Sequence, residues 1–146
     1  MWHNMEKNIK SSLTFQSYVV DYLEFKNNVE FNGEEVKVDF EIAPDFEINE
    51  DKTEMIVILN LVIFRDAENL NLPFEMSLRV FGVFSMNVED ENIERYKRNA
   101  VAILYPYIRA IVTNYTANAN VNPLMPPTIN VNKLIDIKEE NKKKQN

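Results

Sequence analysis

The sequence predicts an α+β domain: a four-stranded antiparallel β-meander with a long C-terminal helix packed on it and a short terminal helix. Four strand-like runs follow one another with short connections, which favours antiparallel pairing. Behind them, apolar residues from Ala100 to Tyr115 recur at the three- and four-residue spacing of one helical face. A chain of 146 residues fits one such domain.

The four predicted strands differ in how many faces they offer to a core. Residues 13–25 are rich in aromatic and aliphatic side chains. Residues 36–42 alternate apolar with charged side chains, which predicts one wet face, and a polar connection around Pro44 follows. Residues 55–64 are apolar on both faces, which predicts a central strand covered from both sides or lying at a subunit junction. Residues 72–86 form the fourth strand.

Pro106 complicates the helical pattern, because a proline in a helix interior removes a hydrogen bond and clashes with the preceding turn. We expect a short helical lead-in at residues 93–98, after an acidic segment at 87–92 that can cap a helix. The main helix then runs from about residue 103 to 116, with Pro106 in its first turn. The alternative is a helix that is kinked at Pro106. A second helix at residues 131–144 has a weak apolar stripe and should fray after Lys138.

The domain boundaries follow from where the apolar patterning ends. We expect a flexible N-terminus at residues 1–12, a single domain at 13–138 and a flexible, lysine-rich tail at 139–146. From Lys133 onward, the chain has five lysines and three acidic residues, a net charge of +2. Because the formal net charge of the whole chain is −7, the residues before Lys133 carry −9. An acidic body repels phosphate backbones, which argues against a nucleic-acid partner.

Other function classes are also disfavoured by composition. The longest apolar run is too short to span a bilayer, and residues 1–12 do not resemble a secretion signal, so we expect a cytoplasmic protein without membrane insertion. The chain has no cysteine and a single histidine, His3, so we expect no metal site and no cofactor. Its two glycines cannot build a phosphate-binding loop.

A catalytic role lacks its most needed residue. A helix against an antiparallel sheet also suits thioesterase-like enzymes, which would require a buried acidic residue near the middle of the central helix. The predicted helix offers only Arg109 there. We therefore expect a protein that is not an enzyme, and keep an enzyme for a small ligand or an acyl chain as a third hypothesis.

Apolar side chains in or beside the predicted loops are the remaining candidates for function. They are Tyr22, Phe25, Val29, Phe31, Leu124, Met125 and Ile129. Loops normally run over the surface, and exposed apolar clusters usually mark interaction sites. The alternative, that these residues pack the loops onto the domain's own core, stays open.

Five segments carry a resemblance to a known family. They are Phe15-Gln16, residues 35–39, residues 82–86 (Gly-Val-Phe-Ser-Met), residues 103–109 with their Leu-Tyr-Pro-Tyr-x-Arg sequence, and residues 122–134. These segments and the order of elements resemble the SecB family of protein-export chaperones over about residues 13–134. The Leu-Tyr-Pro-Tyr-x-Arg helix start is the most specific of the matches.

The resemblance implies a homo-oligomer, a dimer of dimers with helices between sheets, that captures non-native polypeptides without ATP. The binding grooves would be lined by the crossover loop after the first strand and by the loop after the long helix, hence by the seven loop residues above. The implied subunit interface consists of Phe74, Met76, Leu78, Val80, Tyr107 and Ile111.

The resemblance also implies docking to the export motor SecA through acidic sheet residues. Lys26 and Ser77 stand at the matching places and weaken that expectation. Our first hypothesis is a holdase that keeps unfolded or precursor polypeptides soluble and export-competent. The second is a SecB-like adaptor dedicated to one partner, such as an antitoxin of a toxin–antitoxin system.

Overall fold

The computed structural model describes residues 12–87 and 92–145. The strands are β1 (Leu13–Asn27), β2 (Phe40–Ile48), β3 (Glu54–Ile63) and β4 (Phe74–Met86). The helices are α1 (Ala67–Leu70), α2 (Ile93–Asn118) and α3 (Val131–Gln145). The predicted four antiparallel strands, long helix and short terminal helix are confirmed. His3, the expected flexible residues 1–11 and the 88–91 part of the acidic capping segment lie outside the described residues.

The sheet has the strand order β1-β4-β3-β2, with antiparallel neighbours throughout. Strands β2, β3 and β4 form the predicted meander, but β1 lies beyond β4. Residues 28–39, the crossing segment, connect the two opposite edges. β1 fits beside β4 because its rings stack there: the centroids of Phe15 and Phe84 are 5.2 Å apart, and those of Phe25 and Phe74 are 5.1 Å apart. Such pairs contribute about 0.5–1.5 kcal/mol each beyond burial.

Strand β2 begins and ends later than the sequence predicts. Val36 and Val38 lie in the crossing segment, whereas Pro44 lies inside the strand, opposite Leu59. Proline cannot donate a ladder hydrogen bond and is therefore confined to edge strands, and β2 is such a strand. The predicted strand at residues 36–42 was wrong because the apolar alternation continues through Pro44 to Ile48.

Helix α2 runs without interruption through Pro106, so the predicted break between residues 98 and 103 was wrong. The side chain of Asn92 caps the helix by accepting a hydrogen bond from the backbone N–H of Arg95 at 3.1 Å. An interior proline costs about 3 kcal/mol, whereas burying one large apolar side chain contributes about 1.5–3 kcal/mol. The buried α2 residues are Tyr96, Ala100, Val101, Leu104, Tyr105, Ile108, Val112 and Thr116. Their burial outweighs the cost of the proline.

Helix α2 covers one face of the sheet. The side chains of Met55, Val57 and Leu59 on β3 are fully buried on that inner face. The intervening Ile56 and Ile58 are half-buried on the outer face. Residues 12–87 and 92–145 therefore cover β3 fully on one side only, which leaves the predicted alternative of a subunit junction open.

Helix α3 packs at the β2 end of the sheet. Its Ile135 is buried, and its Asp136 accepts a hydrogen bond from Arg98 of α2 at 3.0 Å. Lys138 forms an ion pair with Asp45 of β2 at 2.8 Å. The helix continues to residue 145, so fraying after Lys138 is not observed, whereas flexibility of residues 139–146 stays a prediction. Within residues 12–87 and 92–145, no helix has both the length and the apolar character needed to cross a bilayer.

Candidate functional site

A cleft of about 710 Å³ lies between the crossing segment and the loop after α2, residues 119–130. Phe64, at the end of β3, and Phe74, at the start of β4, belong to its lining. The crossing segment forms one wall and the loop forms the other. The two loops named from the sequence therefore meet at one place, and the volume is that of a typical ligand site.

Asn28 anchors the first wall. Its side-chain amide donates hydrogen bonds to the backbone carbonyls of Leu72 at 2.9 Å and Ala67 at 3.3 Å. Its side-chain carbonyl accepts from the backbone N–H of Glu30 at 3.3 Å. Val29 lies between these anchored residues and is 89% exposed. The local hydrogen bonds thus present an apolar side chain to solvent at the edge of the cleft.

The ring of Phe31, in the first wall, packs closely against Gly33. A Cβ at position 33 would lie 2.7 Å from Cε2 and 2.9 Å from Cζ of the Phe31 ring, well inside normal contact distance. The ring therefore lies against the backbone of Gly33, and a side chain at this position would displace its far end. Phe31 is half-buried and lines the cleft.

The second wall is fixed to the last turns of α2 by two threonines. Thr116 is fully buried, and its hydroxyl oxygen accepts a hydrogen bond from the backbone N–H of Leu124 at 2.9 Å. Thr113 shares its single hydroxyl proton between the carbonyl of Arg109 at 2.9 Å and that of the same leucine at 3.1 Å. Both polar groups of the Leu124 backbone are thus bonded to α2, as buried backbone groups require.

Two further α2 side chains hold the rest of this loop. Arg109 donates from Nε to the carbonyl of Pro126 at 2.9 Å, and Tyr105 donates its hydroxyl to the carbonyl of Pro127 at 2.5 Å. Both donors belong to the Leu-Tyr-Pro-Tyr-x-Arg segment. Together with the threonines they are spaced about one helical turn apart, so the loop runs back along α2 and each turn holds its next part.

Burial raises the pKa of Tyr105 above its usual value of 10, and the nearby Arg109 lowers it by less. The phenol therefore stays neutral at physiological pH and remains a hydrogen-bond donor to the loop.

Four of the seven predicted loop residues line the cleft: Val29, Phe31, Leu124 and Met125. Met125 is 65% exposed, whereas Leu124 is only 8% exposed and packs in the core. Val29 and Met125 are thus open to a binding partner, one on each wall. Leu124 serves mainly to anchor its wall.

The other three predicted residues lie outside the cleft lining. Tyr22 is on the outer sheet face, opposite Arg79, and donates its hydroxyl to Glu24. Phe25 stacks on Phe74 and is half-buried behind the cleft. Ile129 is half-buried against the core. Whether any of the seven residues binds a polypeptide stays a prediction.

The charged side chains that line the cleft are acidic. Glu34 and Glu35 belong to the lining, and no lysine or arginine does in the part of the chain that the structure describes. The lining also contains the asparagines Asn27, Asn120 and Asn122. None of these five residues was predicted from the sequence, because acidic and asparagine residues in loops usually indicate solvated turns.

The strand face predicted to join subunits is buried within the single chain. Phe74, Met76, Leu78 and Val80 are at most 2% exposed and belong to the core under α2. Whether this face supports association between subunits stays a prediction. Their alternation correctly indicated a buried face, but the cover comes from the chain's own helix.

Other surfaces remain open for assembly. Tyr107 of α2 is exposed and contacts the rings of Phe15 and Tyr18, whereas Ile111 is half-buried. The β1 edge carries a row of exposed large apolar side chains: Tyr18, Val19, Val20 and Tyr22. An unpaired apolar edge strand is a surface that proteins normally cover.

The two residues at the matching SecA positions both lie on the outer sheet face. Lys26 forms an ion pair with Glu68 at 3.0 Å. Ser77 is half-buried, opposite Glu24 on β1 and Val62 on β3. Neither residue supplies a carboxylate, but Glu75 lies opposite Lys26 and Glu24 lies opposite Ser77 on the neighbouring strand.

Three comparisons with known proteins agree with this fold. The family model described as SecB, preprotein translocase subunit, matches residues 14–142. Protein MJ0357 of Methanocaldococcus jannaschii, described as uncharacterized, is 32% identical over 151 residues, which covers 97% of this chain and 96% of that protein.

Two solved structures share the architecture at low sequence identity. One is the SecB-like chaperone Rv1957 of Mycobacterium tuberculosis in complex with a ChAD peptide from the HigA1 antitoxin. It has a TM-score of 0.63 and 12% identity over 88% of this chain and 95% of that one. The other is a protein of unknown function from Streptococcus agalactiae, with a TM-score of 0.53 and 16% identity over 80% and 97%.

Proposed function

Because this chain belongs to the SecB family, we propose that it is an ATP-independent holdase that binds non-native polypeptides in the cleft. The family supports a chaperone-type role. The observation that carries the proposal is that Val29 and Met125 stand exposed on opposite walls of one cleft. A chaperone of this kind needs apolar contacts that accept varied side chains, and methionine adapts well to them.

The energetics favour several weak clefts acting together. Covering one exposed apolar side chain contributes about 1.5–3 kcal/mol, whereas a micromolar complex requires about 8 kcal/mol. A few such contacts in one cleft supply only part of this affinity. An oligomer that holds one long polypeptide at several clefts gains the rest through effective concentration.

Assembly into a homo-oligomer, a dimer of dimers, is therefore part of the proposal. The exposed apolar β1 edge and the exposed Tyr107 on α2 support it, because both would be covered by sister chains. Size-exclusion chromatography with light scattering at micromolar concentration measures the assembly. A monodisperse single chain would contradict it.

The holdase proposal is tested by aggregation of a chemically denatured client after dilution, followed by light scattering. Wild-type protein should suppress the aggregation, and the double variant Val29→Asp, Met125→Asp should lose this protection while keeping its fold. Ile137→Asp is the matched control, because Ile137 is an exposed apolar residue on α3, away from the cleft. Equal protection by the double variant and the wild type would refute binding in the cleft.

A dedicated adaptor is the second candidate. The Mycobacterium tuberculosis chaperone with the same fold is seen in complex with an antitoxin peptide, which motivates it. Recovery of one stoichiometric partner from cells, without general suppression of aggregation, would favour this role. A broad set of unfolded clients would favour the holdase.

We further propose that the protein works in the cytoplasm and that its docking to SecA is weak. Lys26 and Ser77 support the second statement, because neither supplies a carboxylate on the outer sheet face. Titration with purified SecA, with Ser77→Glu as the comparison variant, should show tighter binding of the variant. Tight binding by the wild type would contradict this part of the proposal.

A further inference from the structure

The cleft contains three asparagine side chains that its own fold does not use. The carboxamide of Asn28 forms the hydrogen bonds that fix the first wall. Asn27, Asn120 and Asn122 also line the cleft, and across residues 12–87 and 92–145 their carboxamides make no hydrogen bond. All three side chains are exposed. They are therefore available to a ligand, Asn27 from the β1 side and the other two from the second wall.

The backbone conformation gives a structural reason for one of the three asparagines. Asn120 adopts a left-handed backbone conformation, with φ of 59°, just beyond the end of α2. Asparagine tolerates that conformation better than most residues do, so its backbone alone explains its presence there. Asn27 and Asn122 have no positive φ. Their amide groups are thus left without a conformational explanation.

The chemistry of a carboxamide matches that of a peptide group. It presents one carbonyl acceptor and an NH₂ donor, and it carries no charge. When an extended polypeptide enters an apolar cleft, its backbone N–H and C=O groups lose water and must find new partners. Asparagines on the two walls can provide these partners whatever side chains the segment has.

We propose that Asn27, Asn120 and Asn122 bind the backbone of an extended segment of non-native polypeptide in the cleft. The inference rests on the proposed holdase function and adds to it a mechanism of recognition. Val29 and Met125 cover the segment's apolar side chains, while the carboxamides satisfy its peptide groups. Selection of clients is then independent of any one side chain.

The test is a double-mutant cycle on the full chain, read by fluorescence anisotropy. The probe is a short labelled peptide of alternating valine and serine, and its partner probe is the same peptide with every second backbone nitrogen methylated. The variant Asn27→Ala, Asn120→Gly, Asn122→Ala removes the carboxamides, and glycine keeps the left-handed conformation at position 120.

The unmethylated peptide should bind the triple variant more weakly than the wild type, by about two- to tenfold for each carboxamide removed. Methylation of the peptide should weaken its binding to the wild type by a factor similar to that caused by removing the carboxamides. It should change binding to the triple variant much less. The single variant Asn122→Ala should show the same pattern on a smaller scale and serves if the triple variant does not fold. An equal effect of methylation on wild type and variant would overturn the inference alone. Failure of the wild type to bind the unmethylated peptide would also overturn the inference, whereas the holdase proposal fails with it only if the wild type gives no protection in the aggregation assay.

Discussion

Thr116→Val tests how α2 holds the second wall of the cleft. Valine has nearly the shape of threonine but leaves the buried backbone N–H of Leu124 without its acceptor, which now lies at 2.9 Å. The hydroxyl's own donation to the carbonyl of Val112 matters less, because a helix carbonyl is already bonded within the helix. The expected effect is therefore that of one unsatisfied buried donor.

Such a donor costs about 1–3 kcal/mol. For a domain of this size, that cost corresponds to a fall in melting temperature of about 3–10 °C. Urea unfolding measures the free energy, and amide hydrogen exchange at Leu124 reports whether the wall has loosened. Thr116→Ser is the control: it loses one buried methyl group, at about 0.8 kcal/mol, but keeps the acceptor, so the amide of Leu124 should stay protected.

The two variants separate the hydrogen bond from the packing. If Thr116→Val unfolds at the wild-type urea concentration and its Leu124 amide exchanges as slowly as before, the hydroxyl does not anchor the loop. The reasoning about the second wall would then be wrong.

Three further predictions concern the first wall, α3 and Tyr105. Gly33→Ala should displace the far end of the Phe31 ring, which lies 2.7 Å from the new Cβ. It should weaken peptide binding several-fold yet change stability by less than about 0.5 kcal/mol; unchanged peptide affinity would speak against a binding role for this ring. The pKa of Asp45 is lowered from 3.8, chiefly by its hydrogen bond from Lys138. The stability from this pair is thus present above pH 3.8 and is lost as the pH falls through the lowered pKa. Acid should therefore loosen α3 more in the wild type than in the variant Asp45→Asn, which has no carboxylate to protonate. Circular dichroism measures the loss of helix in both proteins. The pKa of Tyr105 is raised above 10 by burial, so its contribution is present below pH 10 and lost as the pH rises further. Tyr105→Phe should flatten the alkaline decline in urea midpoint, and an equally steep decline would refute this.

Sequence periodicity predicted the elements that depend on local pattern. β3 and β4 are found within two residues of their predicted bounds, because alternating side chains on a half-covered sheet leave a clear signal. The apolar face of α2 was recognised in part, because Ala100, Leu104, Ile108 and Val112 are buried whereas Tyr107 and Tyr115 are exposed. These features follow from residues close together along the chain, so one sequence is enough to show them.

Prolines produced the two wrong boundaries. Pro44 was taken to end a strand and Pro106 to delay a helix, and both lie inside the elements they were expected to limit. In each case a local rule was overridden by tertiary context. An edge strand has no need of the missing N–H, and the buried face of α2 outweighs one lost hydrogen bond.

The candidate site was found in part. The two loops named from the sequence enclose one cleft, and four of the seven chosen residues line it. Binding in this cleft stays a prediction. The polar residues that build it were not found. Thr116 carried no sequence signal because its role depends on the backbone N–H of Leu124, to which it is bonded only after the chain has turned back along α2.

By itself, the sequence determined the four strands, the long helix and the terminal helix, but not the short α1, and it showed an excess of apolar side chains over what turns require. Only the tertiary structure decided that β1 lies beside β4, that the chain's own helix covers the inner face of β4, and that two distant loops enclose one cleft. The physical reason is that periodicity records the environment of each side chain, buried or wet. It does not record which distant residue provides that environment.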